Sequence, residues 1–297
     1  MEKIIIVGGP TGSGKTKFAI KLAKDINGEL INADSRQIYK YLNIGTNKGV
    51  LSGDSKKYID GIPIHLIDFL KPDVRFNVFE WRSLAINCIK DIQSKGKQAI
   101  VVGGTGLYID SLIKEYDFES KFQISDDQRK PLTSFDNSNL LKVQEHFKTQ
   151  LTQVWDSLNY SDQNNLRRLQ RLITKLSTSE KPVTNILPSF KDYTFYYPKY
   201  NWDNLKMIIE NRVDEMFKEG LVEETRNVLA MGYDKYCVGL QVMGYKEVIR
   251  FLDGEINLEK CIELVKYSHK QYARRQRTWF EGEKRGYRFN YFKPISS

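Results

Sequence analysis

One octapeptide, Gly9-Pro10-Thr11-Gly12-Ser13-Gly14-Lys15-Thr16, constrains this chain more than any other feature of its 297 residues. It satisfies GxxxxGK[ST], and its flanks supply the context that gives such a match meaning. Ile4-Ile5-Ile6-Val7 before it is a short β-branched run ending in glycine, the pattern of a strand buried on both faces of a parallel sheet. From Thr16 onward, Phe18, Ala19, Leu22, Ala23 and Ile26 recur at helical spacing; Asn27-Gly28 stops the helix, and Glu29-Leu30-Ile31-Asn32 resumes as strand. That is a βαβ unit with a phosphate cradle at its first turn. The glycines let backbone amides turn inward around phosphate oxygens, and the helix N-terminus adds partial positive charge. Lys15 neutralises the bridging region, and Thr16 can hold Mg²⁺. The loop does not specify whether the phosphates belong to a nucleotide or to another magnesium diphosphate.

Further runs at Ile64-His65-Leu66-Ile67 and Ala99-Ile100-Val101-Val102 predict buried strands, with a helix from about Val78 to Gln93 between them. Right-handed crossovers then predict an α/β fold: a P-loop parallel sheet with helices on both faces and a ligand crevice at the carboxyl ends of its strands. Beyond Leu112 the sequence becomes polar and amide-rich. Helical patterns follow at Leu140, Leu141, Val143, Phe147, Leu151, Val154 and Leu158, and at Leu166, Leu169, Leu172, Ile173 and Leu176. Residues 117–182 are expected to form a small helical insertion in a core of residues 1–116 and 183–297. Tyr193 to Tyr197 returns the chain to the sheet, and helices are expected from Trp202 to the C-terminus.

Apolar residues make up 40% and charged residues 28%, which suits a folded globular chain. The net charge of +9 is uneven: Lys270, Arg274, Arg275, Arg277, Lys284, Arg285, Arg288 and Lys293 face only Glu281 and Glu283. That end is a candidate polyanion surface or a solvated basic helix. Cys88, Cys237 and Cys261 are widely spaced, without CxxC, and suggest neither a disulfide framework nor zinc. A reducing cytoplasm and a monomer are expected. The first strand starts too soon for a signal segment, and no apolar run approaches membrane-spanning length.

Asp34 ends the second strand, on the rim that carries the phosphate loop, where functional carboxylates collect. Asp34-Ser35 also fits a helix cap. Ile100-Val101-Val102 ends in Gly103-Gly104-Thr105-Gly106, without the acidic residue that helps hold magnesium in most P-loop NTPases. Asp68 could serve instead, which leaves a small-molecule kinase open.

With Gly9 to Thr16 followed by Ala33-Asp34-Ser35-Arg36-Gln37-Ile38-Tyr39 and Gly45-Thr46, the sequence resembles the tRNA dimethylallyltransferase (isopentenyltransferase) family. His65 to Asp68, Gly103 to Ile109, Gly244-Tyr245-Lys246-Glu247, and Ala273-Arg274-Arg275-Gln276 with Thr278-Trp279 resemble that family's blocks in order and approximate spacing. The resemblance implies transfer of a dimethylallyl group from dimethylallyl diphosphate to the exocyclic amine of the tRNA adenosine just 3′ of the anticodon. That base must leave its stack to react. It further implies Asp34 as general base, Thr105 as a positioning group, Arg212 as a diphosphate ligand and Mg²⁺ as cofactor. Read plainly, Arg212 is a helix-surface arginine.

For the anticodon stem-loop, the resemblance implies a contact set of Asp34, Thr105, Ser35, Arg36 and Gln37 beside the reacting base, with Gly244, Tyr245, Lys246, Arg274, Arg275 and Gln276. Arg129 would stand at the entry to the insertion, and Arg167, Arg168 and Arg171 on its helix. The family arginine soon after Trp279 is here Glu281, and the usual Asp-Pro before the arginine helix is missing. His65, His146 and His269 read as packing or surface residues, and Trp279 and Tyr108 as core. A transferase acting on free adenine nucleotides would share the cradle; the arginine helix and basic charge favour the polymer.

Overall fold

The computed structural model describes residues 3–114, 136–158, 160–177 and 189–294. The chain divides into two compact units, Met1–Glu115 with Pro188–Ser297, and Tyr116–Leu187.

The first unit is built on a seven-stranded sheet of order β3-β4-β2-β5-β1-β6-β7. Its strands are β1 (Ile4–Gly8), β2 (Gly28–Asn32), β3 (Lys57–Ile59), β4 (Ile62–His65), β5 (Gln98–Gly103), β6 (Tyr193–Pro198) and β7 (Phe289–Phe292). All pairs are parallel except β3 with β4. The central strands are the β-branched runs: Ile4, Ile6 and Val7, all of β2, and Ala99 to Val102 are buried. Each such aliphatic side chain contributes roughly 1.5–3 kcal/mol by leaving water. Helix α1 (Lys15–Asp25) turns Ala19, Ile20 and Ala23 onto Leu30 and Ile100. Helix α2 (Val78–Ser94) begins at a capping box of Asn77 and Glu80, and carries the buried Trp81. The Trp81 indole N–H donates to the carbonyl of Asn32 at 3.0 Å, which ties α2 to the end of β2. Helix α3 (Gly106–Ile113) follows β5 directly.

The second unit's described helices are α4 (Leu140–Gln150), α5 (Thr152–Ser157), α6 (Tyr160–Gln163) and α7 (Leu166–Ser177). Val143, Phe147, Leu151 and Val154 meet Leu169, Ile173 and Leu176 in a core of their own. This is the periodicity visible in sequence, and it leaves Arg167, Arg168 and Arg171 on the solvent side of α7.

After β6 the first unit continues with α8 (Trp202–Lys218), α9 (Leu221–Ala230), α10 (Tyr245–Leu252) and α11 (Leu258–Glu281). The expectation of helix to the C-terminus is corrected here. Helix α11 stops at Glu281, Gly286 turns the chain at φ 65°, and β7 pairs with β6. Aromatic side chains explain the strand: Phe292 stacks on Phe18 at 3.9 Å between ring centroids, and Phe289 on Tyr197 at 4.5 Å. The strand expected at 64–67 lies at Ile62–His65, because Leu66 and Asp68 adopt positive φ (57° and 53°), which ends it. The three cysteines are free thiols. Among the described residues no helix is long and apolar enough to cross a membrane.

Candidate active site

Register brings three strand ends together. Gly8 pairs with Gly103 across β1 and β5, and Asn32 with Val102 across β2 and β5. The chain beyond β2 and that beyond β5 stay joined: the Ala33 N–H donates to the Val102 carbonyl at 2.8 Å, and the Thr105 N–H to the Ala33 carbonyl at 3.0 Å. Glycine is required at 103, where a Cβ would stand 2.2 Å from the carbonyl carbon of Ala33. This contact sets Asp34 beside Thr105. The Thr105 hydroxyl accepts the Ser35 N–H at 2.9 Å and donates to the Ser35 hydroxyl at 3.2 Å.

The loop from Gly9 to Thr16 rises from β1 and enters α1, with Gly12 and Gly14 at φ 83° and 76°, a backbone path that other residues take only under strain. Gln276 of α11 braces it. The side-chain oxygen of Gln276 accepts the Thr11 N–H at 2.8 Å, and its nitrogen donates to the Gly104 carbonyl at 3.0 Å, so one amide clamps the phosphate loop to the loop after β5. Lys15 Nζ donates back to the Pro10 carbonyl at 3.3 Å. Desolvation pulls the Lys15 ammonium down to about 8; the Asp34 carboxylate acts against this and the Arg212 guanidinium adds to it. Arg212 projects from α8, is itself pushed down by burial, and forms no ion pair among the described residues. Lys15 and Arg212 thus carry positive charge beside the glycine turns without an ion-pair partner among the described residues.

Asp34 is held by its own turn. Its Oδ1 accepts the Arg36 N–H at 2.9 Å, and its N–H donates to Asn32 Oδ1 at 3.2 Å. Its Oδ2 has no hydrogen-bond partner among the described residues. The carboxylate lines a small pocket together with Thr11 of the phosphate loop, Arg36, and His269 and Tyr272 of α11. Met216, Val242 and Met243 supply an apolar wall. Gly45, Thr46 and Asn47 form a further edge, fixed by Gln37, whose side-chain nitrogen donates to the carbonyls of Thr46 at 3.1 Å and Asn47 at 3.0 Å. Tyr272 lies beside Thr105, and burial raises its hydroxyl pKa well above the usual range.

The structure therefore gathers Asp34, Thr105, Lys15 and Arg212 at one rim, and the loop glycines with them. It distributes the other sequence-derived candidates differently. Lys246, Arg274 and Arg275 are exposed on the first unit. Tyr245 and Gln276 are instead inside the protein. The fully buried Tyr245 hydroxyl accepts the Gly45 N–H at 3.0 Å and donates to Glu224 at 2.5 Å, while Gln276 is 4% exposed. Gly244 is buried beside Tyr245. Arg167, Arg168 and Arg171 lie on the second unit, where Arg168 pairs with Asp162 at 2.6 Å. Arg129 falls outside the described residues. Glu281, which replaces the arginine of the resemblance, accepts from the Tyr200 hydroxyl at 2.9 Å and from Arg277 at 2.8 Å. Asp68 is engaged by Lys48 at 2.6 Å and Lys57 at 3.5 Å, so the acidic partner that a kinase reading requires is already neutralised. The basic C-terminal stretch is likewise partly neutralised, since Arg285 meets the buried Asp110 at 2.6 Å.

Sequence reasoning missed the rest of the pocket. Met216, Val242 and Met243 look like ordinary core positions. His269 and Tyr272 lie one helical turn and one residue before Ala273, and only that proximity to the Ala273-Arg274-Arg275-Gln276 block could have pointed to them.

The family model for IPP transferase matches residues 37–283. The chain is 37% identical over 290 residues to the tRNA dimethylallyltransferase of Caldanaerobacter subterraneus subsp. tengcongensis, an alignment covering 94% of this chain and 89% of the relative. The tRNA dimethylallyltransferase of Acetivibrio thermocellus is 39% identical over 288 residues, with the same coverages. Among solved structures, the tRNA isopentenylpyrophosphate transferase of Bacillus halodurans superposes with a TM-score of 0.70 at 32% identity, covering 99% of this chain and 90% of that one. A eukaryotic dimethylallyltransferase acting on tRNA gives a TM-score of 0.78 at 27% identity, covering 99% and 74%.

Proposed function

The chain belongs to the IPP transferase family, and from that premise we propose how its residues divide the work of tRNA prenylation. The prenyl donor is dimethylallyl diphosphate, and the acceptor is the exocyclic amine of the adenosine 3′ of the anticodon. That amine is a weak nucleophile because its lone pair is delocalised into the ring, so the electrophile carries most of the activation. The allylic C–O bond breaks as the N–C bond forms, the diphosphate departs with the electron pair, and the amine proton goes to Asp34. One observation carries this reading: a carboxylate with an unpartnered Oδ2 faces a pocket edged by the phosphate loop, with Lys15 and Arg212 beside it.

Each group has a defined task. Lys15, Arg212 and the loop amides of Gly12, Gly14, Lys15 and Thr16, which are not taken up by the Thr11–Gln276 and Ser13–Pro10 bonds, receive the negative charge that grows on the leaving group. Thr105 is braced by Ser35, and holds the amine in line with Asp34. Met216, Val242 and Met243 receive the five-carbon chain and exclude water from the allylic cation character. A hydroxyl at the first turn of α1, together with diphosphate oxygens, forms the hard oxygen set that Mg²⁺ prefers, so Thr16 would hold it. When bound, the ion supplies further charge neutralisation to the diphosphate.

Arg36, Lys246, Arg274 and Arg275 on the first unit, and Arg167, Arg168 and Arg171 on the second, are assigned to RNA, with Arg129 as a further candidate. Gln37, Tyr245 and Gln276 are assigned to bracing the loops that hold the pocket. The protein is incubated with Mg²⁺, dimethylallyl diphosphate and unmodified tRNA, with AMP and ATP in parallel. A prenyl mass increment on tRNA is expected. An increment on AMP alone would establish the free-nucleotide transferase instead, and phosphate transfer from ATP a kinase.

A further inference from the structure

His269 is a buried polar residue that the mechanism above leaves unused. It is 6% exposed, lies on the inward face of α11, and lines the same pocket as Asp34 and Thr11. Its Nε2 is sealed from solvent and meets no hydrogen-bond partner among the described residues. Native interiors rarely tolerate such a group, and an unsatisfied buried nitrogen calls for a partner that arrives with a ligand. The surroundings indicate which kind. Met216, Val242 and Met243 line the same pocket without a side-chain nitrogen or oxygen, and Nε2 stands 3.8 Å from where a Cβ on Gly244 would lie. On the polar side His269 is close enough to Arg212 to feel its charge, and Arg212 in turn acts on Lys15.

Thr11 of the phosphate loop lines the pocket that His269 lines, so a diphosphate held by that loop would present oxygen atoms to the pocket that holds Nε2. We propose that His269 is a third side-chain ligand of the donor's diphosphate, its neutral imidazole donating an Nε2–H hydrogen bond to a diphosphate oxygen; this rests on the reading of the phosphate loop as the diphosphate site. Burial and the neighbouring Arg212 hold the imidazole at about 4, so it serves as an uncharged donor at neutral pH. A neutral donor adds directionality where two cations already supply charge. The bond strengthens as the leaving group gains charge, so it favours the transition state over the bound donor.

The test uses the full-length protein, with inorganic pyrophosphate and Mg²⁺ as the binding probe. His269→Phe keeps the ring and removes the donor, while His269→Gln returns a nitrogen at similar reach. His269→Phe is expected to weaken pyrophosphate binding about tenfold and to lower kcat for prenyl transfer by roughly 10–100-fold, with KM for tRNA unchanged. His269→Gln is expected to restore most of both. In wild-type protein carrying ¹⁵N-labelled histidine, the Nε2 resonance is expected to shift when pyrophosphate is added, a readout that needs neither turnover nor a variant. Lys15→Met separates the two levels of argument. If it abolishes pyrophosphate binding while His269→Phe does not weaken it and the Nε2 resonance stays put, His269 is a packing residue and this inference alone falls. If Lys15→Met also leaves binding intact, the diphosphate site itself is misassigned and the inference falls with it.

Discussion

Replacing Gln276 by leucine removes a single side-chain amide and leaves two backbone groups without their partners. The Gly104 carbonyl is buried and would lose the 3.0 Å bond from Gln276; the Thr11 N–H is half-buried and would lose the 2.8 Å bond to it. A buried acceptor left unsatisfied costs about 1–3 kcal/mol, and a half-buried donor that water can partly reach costs about 1 kcal/mol. The expected loss is therefore about 2–4 kcal/mol, a fall in Tm of roughly 4–16 °C for a unit of this size. Function should change in a particular place. Thr11 belongs to the phosphate loop, so Gln276→Leu should raise Kd for Mg²⁺-pyrophosphate and KM for dimethylallyl diphosphate, with little effect on KM for tRNA. Gln276→Glu provides an internal check, since it keeps an acceptor for Thr11 but sets a carboxylate against the Gly104 carbonyl; it should be as destabilised as the leucine variant. Thermal unfolding by circular dichroism, pyrophosphate titration and steady-state kinetics read these quantities. A Gln276→Leu protein that melts normally, binds pyrophosphate normally and fails only in tRNA affinity would refute the clamp and return Gln276 to the RNA surface.

Two further outcomes follow from the same geometry. Gly103→Ala would drive a Cβ to 2.2 Å from the Ala33 main chain, which flexible side chains cannot relieve, so a loss of about 3 kcal/mol or more is expected, with any folded fraction inactive because Asp34 is displaced; unfolding and turnover measured together check it. Arg167→Ala with Arg171→Ala should leave stability and donor KM unchanged, raise KM for tRNA about tenfold, and flatten its salt dependence by roughly one unit of slope per lost phosphate contact, measured by binding across a salt series.

Much of this architecture was legible in the sequence because local and global preferences agree there. A β-branched run buried on both faces, a glycine loop and an amphipathic helix point to the same βαβ unit, and the register then fixes where Asp34 and Thr105 must lie. The strand Phe289–Phe292 was not legible, since a short aromatic segment flanked by Arg288 and Lys293 resembles the end of a basic helix until Phe18 and Tyr197 are seen to cover it. Nor was the inward turn of Gln276 and Tyr245. A motif records which residue types recur together, whereas burial depends on which face of α10 packs on α9 and α11, and which face of α11 meets the phosphate loop. His269 was hidden for a related reason: a histidine at helical spacing looks like packing, and only the pocket on its other side reveals an unsatisfied nitrogen.

The proposed transfer requires Asp34 to take a proton beside a bound diphosphate, and Asp34→Asn probes this with the least disturbance, because an asparagine oxygen can still accept the Arg36 N–H. Single-turnover prenyl transfer to tRNA, measured beside Mg²⁺-pyrophosphate affinity, should show a rate reduced by roughly 10²–10⁴-fold with that affinity intact. Transfer at the wild-type rate would contradict the assignment, whatever the pyrophosphate titration reports.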